Sequence, residues 1–510
     1  MKRPKNYSII VVVLIAILLP YGIALLAGGR DQVFIGFLTN PGDGASYLAK
    51  MYQGWSGSWQ FYLPFTIEPG EGSYLFLYYL FLGHVARWLG LSLIATFHIA
   101  RIIGAGLLLA ALARFYDLIF SGRDDLYRIA FGLTALGSGM GWVVLLTGYL
   151  PSDFWVSEAY PFLSMFTNPH FPLGLALLVG SFSLILSEHA RWRCARLVLN
   201  GLLISVILPF ALVSALLVAG VWFLWTVGTK RKVPWQPVVS LGILGGPFLL
   251  YQFWVAQTHP ALAVWNAQNL TPSPPIWDFL LSFSPVILLA PFGIYALAKR
   301  AQEPYMPVLY AWFGLSLVLV YFPFSLQRRF MLGFYIPATV LAVFGLDYLR
   351  ARFPRRAGWW VPATFALSLP TNLLLVLISL SGALSHSTSL YFSQDEYRAF
   401  AWIRAETPAR AIILASPEMG RWIPGETGRR VLYGHPFETV NASQEEAVVT
   451  RFFQGNRPVR VDDPLFTSVG VNYLIYGPRE RALGSALDLS ALPIVFDSAS
   501  VRIYQIQGMR

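Results

Sequence analysis

Apolar runs close to the length of a bilayer crossing recur along the first three quarters of the chain. They fall at residues 9–27, 73–91, 97–120, 128–150, 171–188, 197–211, 212–228, 237–256, 276–298, 304–324, 330–349 and 358–381. About 20 apolar helical residues match the hydrocarbon thickness of a membrane. The pattern therefore predicts a polytopic all-α membrane domain over residues 1–384. The first run reads as an uncleaved span, since it is long and no small-residue cleavage site stands out. Past about 385 the pattern shortens. "SQDEYRAFAWIRAETP" has helical spacing and ends before Pro408. "AIILAS", "RRVLYG" and "VNYLIYG" read as short strands, and "SQEEAVVTRFFQ" as a helix with Ser443 at its N-cap and Glu446 in a capping box. Strands alternating with helices predict a small α/β domain over 385–510.

Charge then orients the spans. Basic loops lie at "KRPK" near the start, "HARWRCAR" (189–196), "TKRK" (229–232), "KR" (299–300) and "RARFPRR" (350–356). The positive-inside rule places them all in the cytoplasm. An even number of crossings must then separate Lys5 from Arg191, yet five apolar runs lie between them. The run 73–91 is aromatic-rich and holds His84 and Arg87, so we read it as a surface juxtamembrane helix. About eleven transmembrane helices remain, with 197–228 a tight hairpin broken near Pro209. The expectation is a multi-pass plasma-membrane protein with a cytoplasmic amino terminus and an extracytoplasmic carboxy-terminal domain.

Composition agrees. Only 12% of residues are charged, against roughly a quarter in soluble domains. The net charge of +11 sits largely in short loops, which points to orientation and membrane lipid rather than to nucleic acid. The single cysteine, Cys194, excludes an internal disulfide framework and has no metal-ligand spacing around it.

Candidate chemistry concentrates in the outward loops. "LTNPGDGASY" carries Asp43 between two glycines. Asn-Pro and Asp-Gly are turn dipeptides, so the plain reading is a turn. The chemical reading is a carboxylate on a tight loop that takes a proton from an attacking hydroxyl. "FTIEPGEGSY" adds Glu68 and Glu71, of which Glu68 is the candidate for acceptor or metal contact. The next outer loop offers Asp153, Glu158 and His170. There Asn168-Pro169 reads as an N-cap with proline at the first helical position. His170 would then lie in a first turn suited to a nearby anion. Gln327-Arg328-Arg329 falls on the outer side, against the charge bias. Snorkelling to lipid headgroups is one account of the arginines. The other is phosphate recognition, because the guanidinium fork matches phosphate oxygens.

These parts together resemble the GT-C glycosyltransferases, in particular bacterial and archaeal members related to protein mannosyltransferases and the lipid A aminoarabinose transferase. The resemblance rests on "NPGDG" soon after the first span and on a surface-lying apolar segment. It rests also on "HIARIIGAGLLLAALARFYDLIF" with its early Arg101, on "SLQRRFMLGFYIPATVLAVFGLDYL", and on a small outer domain at the end. It implies a catalytic base at Asp43. It implies that Arg328 and Arg329, with Gln327, contact the phosphate of a polyprenyl-phosphate-linked sugar. The acceptor would be a hydroxyl of a glycan, lipid or protein. Asp43 stands alone where an Asp-x-Asp or Asp-Glu pair is usual, and "EPGEG" replaces a Pro-Pro pair. Metal use (Mg or Mn) is therefore left open, with Glu68, Glu158 and His170 as the residues to watch. The alternative classes are a transporter or lipid flippase, and a non-catalytic scaffold with an exported domain. A transporter calls for mid-span charges and paired broken helices; few such charges and no clear inverted repeat are evident.

Overall fold

A computed structural model of the chain describes residues 6–230, 233–300, 303–455, 458–484 and 486–506. The basic residues expected to fix topology at 2–5 and at 231–232 lie outside them.

Helices dominate, as a chain rich in apolar runs must form where no water can satisfy its backbone. Among the described residues, four segments are long and apolar enough to cross a membrane: Tyr7–Ala27, Leu93–Ile119, Pro209–Thr229 and Pro354–Leu384. Two bent pairs bring the number to six, Trp235–Gly242 with Gly245–Thr258 at 43° and Ile276–Ser282 with Val286–Ala298 at 75°. Shorter apolar helices span His170–Leu186 and Met306–Val320. The bend in the second pair falls at Phe283–Pro285, where proline supplies no amide proton to continue the ladder. Helix Tyr335–Arg352 is buried almost from end to end until Leu346, so it serves as the core of its unit.

One apolar run differs from the pattern read in the sequence, and another follows it. Residues 128–150 are not one span. Helix Asp124–Leu136 ends there, and a short turn of helix follows at Trp142–Leu145. The break is held by buried polar groups: the Gly141 amide donates to Asp153 (3.1 Å) and Thr371 Oγ1 to the same carboxylate (2.9 Å). The run 197–228 does break where proline predicts, with helices Arg193–Ile207 and Pro209–Lys230 on either side of Leu208. Arg101 is fully buried in its helix. Its guanidinium donates to the main-chain oxygens of Ile17 (3.2 Å), Met165 (2.9 Å) and Phe166 (3.2 Å). Met165 and Phe166 lie in the last turn of helix Pro161–Thr167, whose end leaves carbonyls open.

The chain divides into two compact units. One comprises the chain up to Pro20, His98–Tyr251 and Thr271–Ser381; the other comprises Tyr21–Phe97, Gln252–Leu270 and the chain from Gly382 on. These units do not follow the chain-order division 1–384 and 385–510, and hydrogen bonding explains why. Strand Gln32–Phe34 pairs antiparallel with Tyr391–Ser393. Tyr391 donates its hydroxyl to the carbonyls of Ala24 (2.8 Å) and Ala383 (3.1 Å). Residues that follow the first apolar helix are thus built into the same unit as the tail.

The sheet of the second unit has the spatial order Arg430–Val431, Ile412–Leu414, Tyr473–Tyr476, Arg502–Gln505, Ile494–Asp497. The first three strands are parallel and the last two join antiparallel. Helix Gln394–Glu406 precedes it with a full capping box between Ser393 and Glu396. Helix Ala442–Gln454 starts two residues earlier than its sequence suggests: Asn441 is its N-cap, with no side-chain cap bond, so Ser443 does not cap it. The segment read as a surface helix contains helix Leu77–Leu89. Its Gly83 faces Gly54 of helix Pro41–Trp55. A Cβ at Gly83 would stand 1.9 Å from the Met51 carbonyl oxygen, and one at Gly54 2.0 Å from that of Leu80. Only glycine at both positions lets these two helices meet.

Candidate functional site

Asp43 belongs to the second unit. "NPGDG" is not a turn. It is the start of helix Pro41–Trp55, with Asn40 as a left-handed N-cap (φ 44°) and Pro41 at the first helical position. Asn40 donates its amide to Asp43 Oδ2 (2.6 Å) and receives a long hydrogen bond from the Asp43 amide (3.5 Å). Asp43 thus sits in the first turn, where exposed backbone amides favour an ionised carboxylate. Its side chain keeps 43% of its surface open, enough for a ligand to reach it. Gly44 lets the helix settle on Phe37, whose ring would lie 2.5 Å from a Cβ there.

Around Asp43 stand residues the sequence did not single out. His435 Nε2 lies 4.0 Å from Asp43 Oδ1. Burial pushes the imidazole below its ordinary pKa; Glu438 and Asp43 work against this, while Lys50 and Arg421 add to it. Glu438 pairs with Lys50 (2.6 Å) and accepts from Ser46 Oγ (2.7 Å). Burial opposes the charge of Glu438, yet Lys50, His435 and Ser46 hold its carboxyl below the ordinary value. Lys50 is itself fully buried, and its ammonium lies 4.4 Å from the Phe76 ring centre. Arg421 approaches the same helix start, its guanidinium carbon 3.9 Å from where a Gly42 Cβ would be. Glu68, the second carboxylate expected in this loop, is exposed.

Gln327, Arg328 and Arg329 belong to the first unit. Gln327–Met331 forms a short 3-10 turn. The Arg328 amide donates to the Thr271 carbonyl (3.1 Å), and that of Gln327 to Phe324 (3.2 Å). The Arg328 guanidinium lies 4.6 Å from the ring centre of the partly exposed Trp155. Such stacking holds the guanidinium plane against the indole. Arg329 donates to Glu158 (3.0 Å). Glu158 is buried and its carbonyl also accepts the Gly333 amide (2.9 Å), so this carboxylate is engaged in holding the arginine turn. His170 is buried as the first residue of helix His170–Leu186, with its ring centre 3.9 Å from that of Phe171. Pro169 is the N-cap of that helix and no side chain caps it, so Asn168 does not play the part its sequence suggests. The loop 433–439 was legible only as the end of a strand; the lone lysine in the apolar string "YLAKMY" was the one signal that a buried acidic partner existed.

Asp43 is a poor start for a metal centre. Among the described residues, no three His, Cys, Asp or Glu side chains gather as ligands. His435 presents a protonated Nε2 to Asp43, since its Nδ1 accepts the amides of Phe437 and Glu438 (3.2 Å each). With Lys50 and Arg421 also near, the donor set does not fit a divalent cation.

No family model and no curated protein sequence matches the chain. Its fold does match solved structures of the oligosaccharyltransferase AglB of Archaeoglobus fulgidus. The complex with zinc and sulfate aligns over 91% of this chain and 68% of that one, at 15% identity and a TM-score of 0.55. The form tethered to an acceptor peptide aligns over 93% and 69%, at 15% identity and 0.54. The form bound to an inhibitory peptide and a dolichol-phosphate aligns over 92% and 69%, at 13% identity and 0.53. The chain therefore shares the overall fold of these solved structures.

Proposed function

We propose that this protein is an integral membrane glycosyltransferase. It moves a sugar from a polyprenyl-phosphate donor to an acceptor hydroxyl on the outer face of the membrane, with inversion. The observation that carries the reading is the Asp43 carboxylate, held by Asn40 at a helix start yet open to solvent, in a chain with the GT-C fold.

In this mechanism Asp43 takes the proton of the acceptor hydroxyl as its oxygen attacks the anomeric carbon. The bond from that carbon to the phosphate oxygen breaks, and the polyprenyl phosphate leaves with the bonding pair. Arg328 and Arg329, with Gln327, hold the phosphate and stabilise its growing charge. No step passes through a metal. The topology proposed with it has about eleven crossings, with Asp43 and the arginine turn on the outer side. That an AglB structure holds dolichol-phosphate supports a lipid-linked donor.

The test is a donor screen. Protein in liposomes is given mixed polyprenyl-phosphate sugars and a pool of acceptors, and products are read by mass spectrometry. Transfer by wild type that is lost in Asp43→Asn supports the reading. Lipid translocation without sugar transfer overturns it in favour of a flippase.

A further inference from the structure

We infer that His435 is the positioning residue of the Asp43 carboxylate, a hydrogen-bond donor that holds it ionised and aimed. The inference rests on the proposed role of Asp43 as base, and it settles which of the two groups accepts the proton.

The argument starts from the tautomer. His435 Nδ1 accepts two main-chain amides, those of Phe437 and Glu438 (3.2 Å each). A nitrogen that accepts twice carries no proton, so in the neutral ring the proton is on Nε2. That is the nitrogen facing Asp43 Oδ1 at 4.0 Å. His435 therefore cannot receive a proton from an acceptor there. It can only donate, and its N–H faces the carboxylate before any substrate arrives.

The imidazole is also unable to wander. The Thr439 hydroxyl accepts the amides of Gly434 (3.3 Å) and His435 (3.2 Å). Gln268 donates to the carbonyls of Phe437 (3.0 Å) and Thr439. Glu438, in the same turn, is anchored on Lys50 and Ser46, and the Phe65 ring centre lies 5.6 Å from that of His435. Asp43 is gripped from the other side, since Asn40 donates to Oδ2. One oxygen is tied within its own helix start and the other is addressed by the tail. The groups facing His435 are Asp43 and Lys50 from helix Pro41–Trp55, Glu438 from its own turn, and Arg421. Burial of the ring keeps it neutral and so keeps it a single-proton donor.

Two substitutions separate positioning from mere structure. His435→Asn places an oxygen where Nδ1 accepts the two amides and removes the donor at Nε2. His435→Gln places an amide donor near Nε2 and gives up the Nδ1 acceptor. The reading is the pH profile of carbodiimide labelling of Asp43 in the purified full chain, followed by mass spectrometry. It needs no substrate, so it reports separately from the enzymatic reading. Loss of a donor to the ionised form raises a carboxyl pKa. The labelling midpoint is expected to move up by about one pH unit in His435→Asn, about tenfold in protonated fraction above the midpoint. His435→Gln is expected to stay near wild type. A midpoint unchanged in His435→Asn, or raised in His435→Gln instead, overturns the inference. Should Asp43→Asn still transfer sugar while the midpoint shifts as expected, the base reading fails and the contact stands.

Discussion

His435 Nε2 and Asp43 Oδ1 stand 4.0 Å apart, bringing the start of helix Pro41–Trp55 and the tail together in one unit. Asp43 is the proposed base among these side chains, because Lys50 is paired and the His435 nitrogen facing it carries the proton in the neutral ring. Asp43→Asn keeps the Asn40 contact and the helix start, so the fold should persist by circular dichroism and size exclusion. Sugar transfer should fall by about 10²–10⁴, the usual worth of a positioned general base.

The arginine turn should separate into two behaviours. Arg328 rests on Trp155, and Arg329 is tied to the buried Glu158. Arg328→Ala should raise the KM for the polyprenyl-phosphate donor with little change in thermal unfolding. Arg329→Ala should do the same and also lower the unfolding temperature, because it leaves a buried carboxylate without its cation. Adding Glu158→Gln should recover stability but not donor affinity. Donor titrations and thermal scans on the three proteins check this.

The buried pair Lys50–Glu438 gives a sharper stability test. Lys50→Met strands the Glu438 charge in a site with almost no solvent. Breaking a buried pair by removing one partner typically costs about 3–5 kcal/mol. The double variant Lys50→Met, Glu438→Gln should recover much of that loss. Denaturant or thermal unfolding of the second unit's tryptophan signal measures it.

Membrane character was legible because it is written in composition and in run length, which no tertiary contact can alter. The helix around Asp43 was not. Asn-Pro is both a turn signal and an N-cap signal, and the local string cannot choose between them. At Asn40-Pro41 the chain caps a helix, since Gly44, Gly54 and Gly83 let that helix pack. At Asn168-Pro169, where a cap was expected, helix His170–Leu186 begins a residue later with no side-chain cap. Asp43 itself could be picked out as a lone acid among glycines. Its companions His435, Glu438 and Arg421 could not, because they come from the far end of the chain and carry no spacing relative to it. The break after Leu136 was hidden for a related reason: it depends on Asp153 and Thr371, distant residues that bond to it only after folding.

That break supplies the last prediction. Asp153 is fully buried, and burial pushes its carboxyl up to about 7; Thr371 and Gly141 pull it down, and nearby Asp278 raises it further. A folded-state pKa above the unfolded one means that the folded chain holds the proton more tightly. The stabilising contribution is then fully present below the unfolded value of about 4 and is lost as pH rises through about 7. Asp153→Asn carries no such titration, and its amide oxygen can still accept from Gly141 and Thr371. The variant should therefore match wild type near pH 4 and become the more heat-stable of the two at pH 8. Each pH unit of separation corresponds to about 1.4 kcal/mol. Thermal unfolding of both proteins from pH 4 to 8 checks it; parallel curves across that range would show that Asp153 stays ionised in the folded chain and that the break is held by charge-assisted hydrogen bonds instead.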